Sequence, residues 1–185
     1  MQTLTLLPDN LPIPLDDGAC SHLLGLELPD VILKSTSNDA INLSAIDGWV
    51  VLFCYPRTGQ PNQALPEGWD AIPGARGCTP QACAFRDDYQ KITALGAKVF
   101  GLSSQSSDYQ KEASLRLHLP FSLLSDVDLL LTDALNLPTF VLAGMRLNKR
   151  VTLISFKGII QQYFYPVFPP DKNSEYVLSW LREHA

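Results

Sequence analysis

Residues 49–55 read Trp-Val-Val-Leu-Phe-Cys-Tyr, apolar without a break until Pro56 stops the run. A strand with one face in water would alternate polar and apolar positions. A run this rich in β-branched and aromatic side chains predicts a central strand buried on both faces. Such a strand needs covering layers on each side. Further strands are expected around 31–33, 41–43, 99–103, 121–124, 140–142, 151–156 and 159–165. Helices are expected over about 80–95, from Ser106 or Ser107 to 118, over 126–135 and over 174–183, with a single turn starting at Ser44. Gly96 suits a helix C-terminus, Pro120 prevents the second helix from continuing, and Lys157-Gly158 joins a hairpin. Strands alternating with helices, closed by a hairpin, give an α/β fold with a mixed central sheet flanked by helices.

Residues 1–25, punctuated by Pro8, Pro12 and Pro14, read as an N-terminal arm, and 26–185 as one domain. The 185-residue length suits a single domain with a substantial core. Between Pro56 and Gly77 lies a loop rich in proline and glycine; ordered loops of this length are often functional.

A net charge of −5 argues against a general nucleic-acid or anionic-membrane binder, which would present a basic face. No apolar run approaches the roughly 20 residues that span a bilayer. Residues 1–15 contain no Lys or Arg, which is wrong for a secretory signal. Four cysteines in a chain this long do not make a disulfide framework, so a reducing, cytoplasmic setting is expected.

The chemistry concentrates in Gly77-Cys78-Thr79-Pro80-Gln81-Ala82-Cys83. Pro80 fits a first helical position, Thr79 then reads as the N-cap, and Cys78 lies beside the free N–H groups of the first turn. Those dipoles favour a thiolate, the only form of cysteine that attacks. Two readings stand at this point, a reactive thiolate and a small buried core residue. On an ideal helix, residues five apart have Cα atoms roughly 8–9 Å apart, beyond the ~7 Å a disulfide tolerates. If Cys78 and Cys83 bond, the first turns must unwind, so a transient bridge fits better than a permanent one. Zinc spacing is absent, because no second Cys/His pair accompanies them. His22, His118 and His184 are scattered.

In order along the chain, several motifs resemble the peroxiredoxins, and within them the peroxiredoxin Q (bacterioferritin-comigratory) group. They are the strand ending Tyr55-Pro56, the helix start Gly77-Cys78-Thr79-Pro80-Gln81-Ala82-Cys83-Ala84-Phe85-Arg86-Asp87, and the segment Leu119-Pro120-Phe121-Ser122-Leu123-Leu124-Ser125-Asp126. Gly101-Leu102-Ser103 and the arginine-bearing strand at Lys149-Arg150-Val151-Thr152, followed by Lys157-Gly158, agree with them. The resemblance covers roughly 25–165. It implies a thioredoxin-like fold and thiol-dependent reduction of hydrogen peroxide and organic hydroperoxides. By position, it makes Cys78 the nucleophile, Cys83 the resolving thiol and Arg150 the cation that stabilises thiolate and peroxide. Tyr55 and Pro56 shape the pocket, and the backbone at Gly77 helps bind oxygen. The implied reductant is thioredoxin or a glutaredoxin-like dithiol. No metal or other cofactor is called for, and either a monomer or a homodimer would serve.

One departure stands out. The family pattern places a peroxide-binding threonine three residues before the cysteine, where this chain has Ala75. About 15 additional residues separate Pro56 from Cys78. Thr58 is one candidate to supply the missing hydroxyl. Alternatives to the two-cysteine peroxidase are a one-cysteine peroxidase, in which Cys83 is inert, and a redox sensor that oxidises once and stalls. Cys54 reads as a structural thiol, and Cys20 as a solitary thiol with the option of pairing between chains.

Overall fold

The computed structural model describes Leu7 and residues 10–185; the parts of the arm at residues 1–6, 8 and 9, including Pro8, lie outside the described residues. Among the described residues, nine strands and four α-helices follow in order. They are β1 (Ile32–Ser35), β2 (Ala40–Asn42), β3 (Trp49–Cys54), α1 (Cys78–Ala94), β4 (Ala97–Ser103), α2 (Ser107–Arg116) and β5 (Leu123–Ser125). Then come α3 (Leu130–Ala134), β6 (Thr139–Leu142), β7 (Met145–Asn148), β8 (Val151–Phe156), β9 (Ile159–Phe164) and α4 (Asn173–His184). Seven strands form one sheet in the order β2-β1-β5-β4-β3-β8-β9, and β6 pairs with β7 as a separate hairpin. β3, β4 and β5 run parallel, while β8 is antiparallel to β3 and β9 to β8, so the sheet is mixed as expected.

β3 is central, and its residues divide strictly by parity. Val50, Leu52 and Cys54 join one core, and Val51, Phe53 and Tyr55 the other. This is the two-fold alternation of a strand with both faces covered. The first face is closed by Cys20, Leu23 and Leu28 from the N-terminal segment, by Leu131 of α3 and by Leu135 that caps it. α1 and α4 close the second, through Phe85, Ile92, Val177 and Leu181. Phe53 stacks on Phe85 with ring centroids 4.5 Å apart, which pins α1 to β3; pairs of this kind add about 0.5–1.5 kcal/mol beyond area burial.

The sequence expectations differ from the structure in three places. The α1 helix begins at Cys78, with Gly77 as its N-cap, rather than at Pro80 behind a Thr79 cap. Gly77 has φ 106°, and a Cβ there would overlap the Pro170 ring in the turn that precedes α4. A threonine cap would need a free hydroxyl facing the first turn, whereas Thr79 is buried as the second helical residue. The segment 126–135 is helical only over Leu130–Ala134, because Asp126 receives the Leu131 and Thr132 N–H groups from outside the helix. Met145–Asn148 is a strand not foreseen, paired with β6 around Ala143 and Gly144.

The long loop is ordered by a third, small core. Trp69, in a short helical turn at Trp69–Ala71, is buried with Ala75 and Leu147, and Ile72, Phe140 and Met145 pack around them. The insertion therefore rests on the β6–β7 hairpin and delivers the chain to Gly77.

Candidate active site

Cys78 is the first residue of α1 and is 5% exposed. Pro80 has no N–H, so the free donors of the first turn are those of Cys78 and Thr79. The thiol donates to the Ala75 carbonyl at 3.7 Å. Against the same sulfur stands Arg150, whose Nη2 donates to Cys78 Sγ at 3.3 Å.

Arg150 is 3% exposed. Its Nη1 donates to Gln81 Oε1, and its Nη2 also lies within 3.2–3.3 Å of the Gly74, Ala75 and Arg76 carbonyls. Gln81 in turn donates from Nε2 to Asn173 Oδ1 at 2.9 Å, and Thr152 Oγ1 donates to that oxygen at 2.6 Å. Helix α1, strand β8 and helix α4 are thus joined by one buried polar chain that orients the guanidinium. No carboxylate pairs with Arg150 among the described residues. A buried cation is costly unless matched by an anion. Every other acceptor around Arg150 is a neutral carbonyl or amide, so the Cys78 sulfur is the one contact able to carry negative charge. Arg150 Nε is a further buried donor without a partner among the described residues.

Tyr55 and Pro56 are buried next to this site, with Tyr55 in the same apolar cluster as Cys78. Burial is the main force pushing the Tyr55 phenol well above its ordinary range. Ser103 and Gln110 lie near that hydroxyl but not in hydrogen-bond geometry. Gly77 supplies the left-handed turn that brings the Cys78 amide into the first helical turn.

Thr58 is buried, but its hydroxyl donates to Gln105 Oε1 at 3.2 Å, and its N–H to the same oxygen at 2.8 Å. The structure gives it no hydrogen bond to Cys78; of the candidates for the missing hydroxyl, Thr58 is the one engaged by Gln105. Gln105, just after β4, clamps the start of this loop through Thr58. Arg76 bridges to Asp70 at 2.8 Å and ties the inserted turn to the residue before Gly77.

Cys83 lies one and a half turns along α1 and is half-buried; burial raises its thiol pKa, opposed in part by Arg86. Cys78 and Cys83 are both free thiols on an intact helix. Cys20 is 1% exposed, so the option of pairing between chains would require it to leave the core. Arg146 bridges Asp133 at 2.6 Å, away from the sulfur. Among the described residues, no group of three or more His, Cys, Asp or Glu side chains is placed to hold a metal ion.

Sequence reasoning did not assign roles to Gln81, Asn173 or Thr152. The spacing from Cys78 to Gln81, three residues on one helical face, was a usable signal. Asn173 and Thr152 carried none, since only tertiary packing brings them together.

A mixed sheet with a cysteine at the N-terminus of the helix after its central strand, facing a buried arginine, defines a thiol-based redox enzyme. The Redoxin family profile matches residues 23–178, and the chain belongs to that family. Peroxiredoxin Q, chloroplastic, of Sedum lineare is 31% identical over 155 residues, covering 83% of this chain and 75% of that protein. The Triticum aestivum protein of the same name is 32% identical over 146 residues, covering 78% of this chain and 60% of that one. Among solved structures, peroxidoxin BcpB from Mycobacterium tuberculosis matches with a TM-score of 0.72 at 24% identity, covering 88% and 97% of the two chains. A mutant of Xanthomonas campestris peroxiredoxin Q matches with a TM-score of 0.70 at 25% identity, covering 86% and 98%. The fold is the thioredoxin-like peroxiredoxin fold, and the chain is a peroxiredoxin of the peroxiredoxin Q kind, a peroxide-reducing oxidoreductase.

Proposed function

We propose that the chain reduces hydrogen peroxide and organic hydroperoxides by a two-cysteine cycle within one subunit, with Cys78 as nucleophile. The reading is carried by the buried, carboxylate-free Arg150 guanidinium donating to Cys78 Sγ at 3.3 Å. The thiolate attacks one peroxide oxygen, the O–O bond breaks, and Cys78 becomes a sulfenic acid while the other oxygen leaves as hydroxide or alkoxide and takes up a proton. Arg150 opposes the negative charge as it moves from sulfur to the leaving oxygen. The Cys78 and Thr79 N–H groups offer the donors that the family threonine would have shared, since Ala75 has no hydroxyl and Thr58 is engaged with Gln105. Tyr55 and Pro56 wall the site, and Gly77 allows the approach.

Cys83 then attacks the sulfenic sulfur, forming a 78–83 disulfide and releasing water. The intact α1 helix keeps the two residues too far apart for this, so its first turns unwind in the step. Unwinding also exposes Cys83, removing the burial that raises its thiol pKa. An external dithiol, thioredoxin or a glutaredoxin-like protein, reduces the bond by exchange and leaves as the disulfide. A monomer suffices for this cycle, and a homodimer is compatible with it. Cysteine usage fits a reducing compartment such as the cytoplasm.

Organic hydroperoxides are supported by a cavity of about 290 Å³ beside Arg150, walled by Ile13, Leu15, Ile72, Phe140 and Val167. A solved Xanthomonas campestris bacterioferritin-comigratory protein, 24% identical, is described for its alkyl peroxide reduction activity. The test is peroxide-driven oxidation of reduced thioredoxin by wild type and by Cys78→Ser. Turnover should fall to background in the variant, and retained turnover would end the assignment.

A further inference from the structure

We propose that a second cavity, at the carboxyl ends of β3, β4 and β5, binds a small organic oxyanion, a carboxylate or phosphate ester on a compact apolar body. The cavity has a volume of about 370 Å³, within the range of small-molecule sites. The wall of this cavity carries Arg57, Arg146 and Tyr109 together with Val127, Leu129 and Met145. None of the residues lining it is acidic.

Charge accounting makes this wall unusual. Arg57 is part-buried and has no carboxylate partner among the described residues. Its Nη2 donates to Tyr109 Oη at 3.1 Å, its Nη1 to Met145 Sδ at 3.3 Å, and its Nε is buried without a partner. The guanidinium also lies 5.4 Å from the Tyr109 ring centroid. These contacts hold the group in place without neutralising it. Arg146 does have a carboxylate, Asp133 at 2.6 Å, but both side chains are about half exposed; pairs of that kind contribute little. Of two guanidinium charges at one cavity, only one is therefore met, and only weakly. Arg150 shows how this chain compensates a buried guanidinium from within, through the sulfur. Among the described residues Arg57 has no such internal partner, so the complement comes from outside.

The apolar part of the lining selects the rest of the ligand. A bare inorganic anion would leave the exposed Val127 and the part-buried Leu129 and Met145 facing water, whereas an apolar body covers them at roughly 25 cal/mol per Å². Gln105 also lines the cavity and clamps Thr58 through its N–H at 2.8 Å and its carbonyl at 3.1 Å. The ligand thus sits against the loop that follows β3, apart from the sulfur itself.

Calorimetric titration of the reduced protein at constant ionic strength tests this, with benzoate and phenyl phosphate as probes and benzamide and inorganic phosphate as controls. At least one organic anion is expected to bind saturably below about 10 mM. Arg57→Gln should weaken it by at least ~10-fold, about 1.4 kcal/mol, and Arg146→Gln by less. The proposal is overturned if neither organic anion saturates, if benzamide matches benzoate, if inorganic phosphate matches phenyl phosphate, or if Arg57→Gln binds like wild type. Should Arg57→Gln not fold, Tyr109→Phe and Arg146→Gln carry the test, and unchanged binding in both overturns it. Because the readout is binding, peroxidase activity does not enter the result.

Discussion

The two faces of β3 hold cysteines in opposite situations. On one face Cys54 and Cys20 are buried among leucines and valines, and burial is the leading force that raises both thiols, Cys20 to about 12. Nearby carboxylates reinforce it, Asp17 and Asp16 for Cys20 and Asp126 for Cys54. On the other face Cys78 is nearly as buried, yet its sulfur accepts from a guanidinium and sits at the start of a helix. Depth alone does not separate the pairs. The charge that accompanies each sulfur does: carboxylates near Cys20 and Cys54, a guanidinium at Cys78.

The sharpest way to break this contrast is to remove the cation. Arg150→Gln is expected to lower the second-order rate of the first peroxide oxidation by roughly 10²–10³-fold, the loss seen when one oriented donor leaves a developing charge. Arg150→Lys should recover only part of it, because an ammonium cannot reproduce the fork that reaches Gln81 and the sulfur together. Stopped-flow oxidation of the reduced protein reads both, and a glutamine variant within two-fold of wild type would sink the contrast.

A second expectation concerns the partner thiol. Cys83→Ser should leave that first oxidation nearly unchanged while thioredoxin-driven turnover drops by about ten-fold or more. Intact-mass analysis after one equivalent of peroxide should show a sulfenic acid in the variant and a loss of two hydrogens in wild type. Undiminished turnover would favour a one-cysteine cycle.

The smallest effect belongs to the opposite face. Cys20 keeps its proton in the fold to about pH 12, whereas an unfolded cysteine loses it near 9. The folded state binds the extra proton in that window, so stability is intact below about pH 9 and declines as pH rises toward 12. Replacing Cys20 by Ala should make the decline shallower by up to about 1.4 kcal/mol per pH unit, measured by urea unfolding at pH 8 and 10. Parallel profiles in the two proteins would show that Cys20 ionises freely.

Much of this contrast was readable from the chain. The unbroken run of residues 49–55 specified a strand covered on both sides, and alternation then dictated which residues meet which core. Pro80 was enough to set Cys78 beside a helix start, although with Thr79 as the cap. Other features were not readable. The N-cap fell to Gly77 because its φ of 106° and its contact with Pro170 are set by the packing of α4 on α1, nearly a hundred residues apart in sequence. β7 escaped notice because Met145–Asn148 is short and mixes charged with apolar residues. Thr58 looked available until Gln105, across the β3–β4 connection, was seen to occupy its hydroxyl.

Sequence alone settled the periodicities, the chemical identities and the family, because these depend on neighbours along the chain and on motifs in order. Only the folded structure decided what surrounds the charges: Gln81 and Asn173 behind Arg150, and Arg57 in an open cavity with no carboxylate partner among the described residues. Electrostatic contacts depend on distances of a few ångströms between residues remote in the chain, and nothing in local composition encodes those distances.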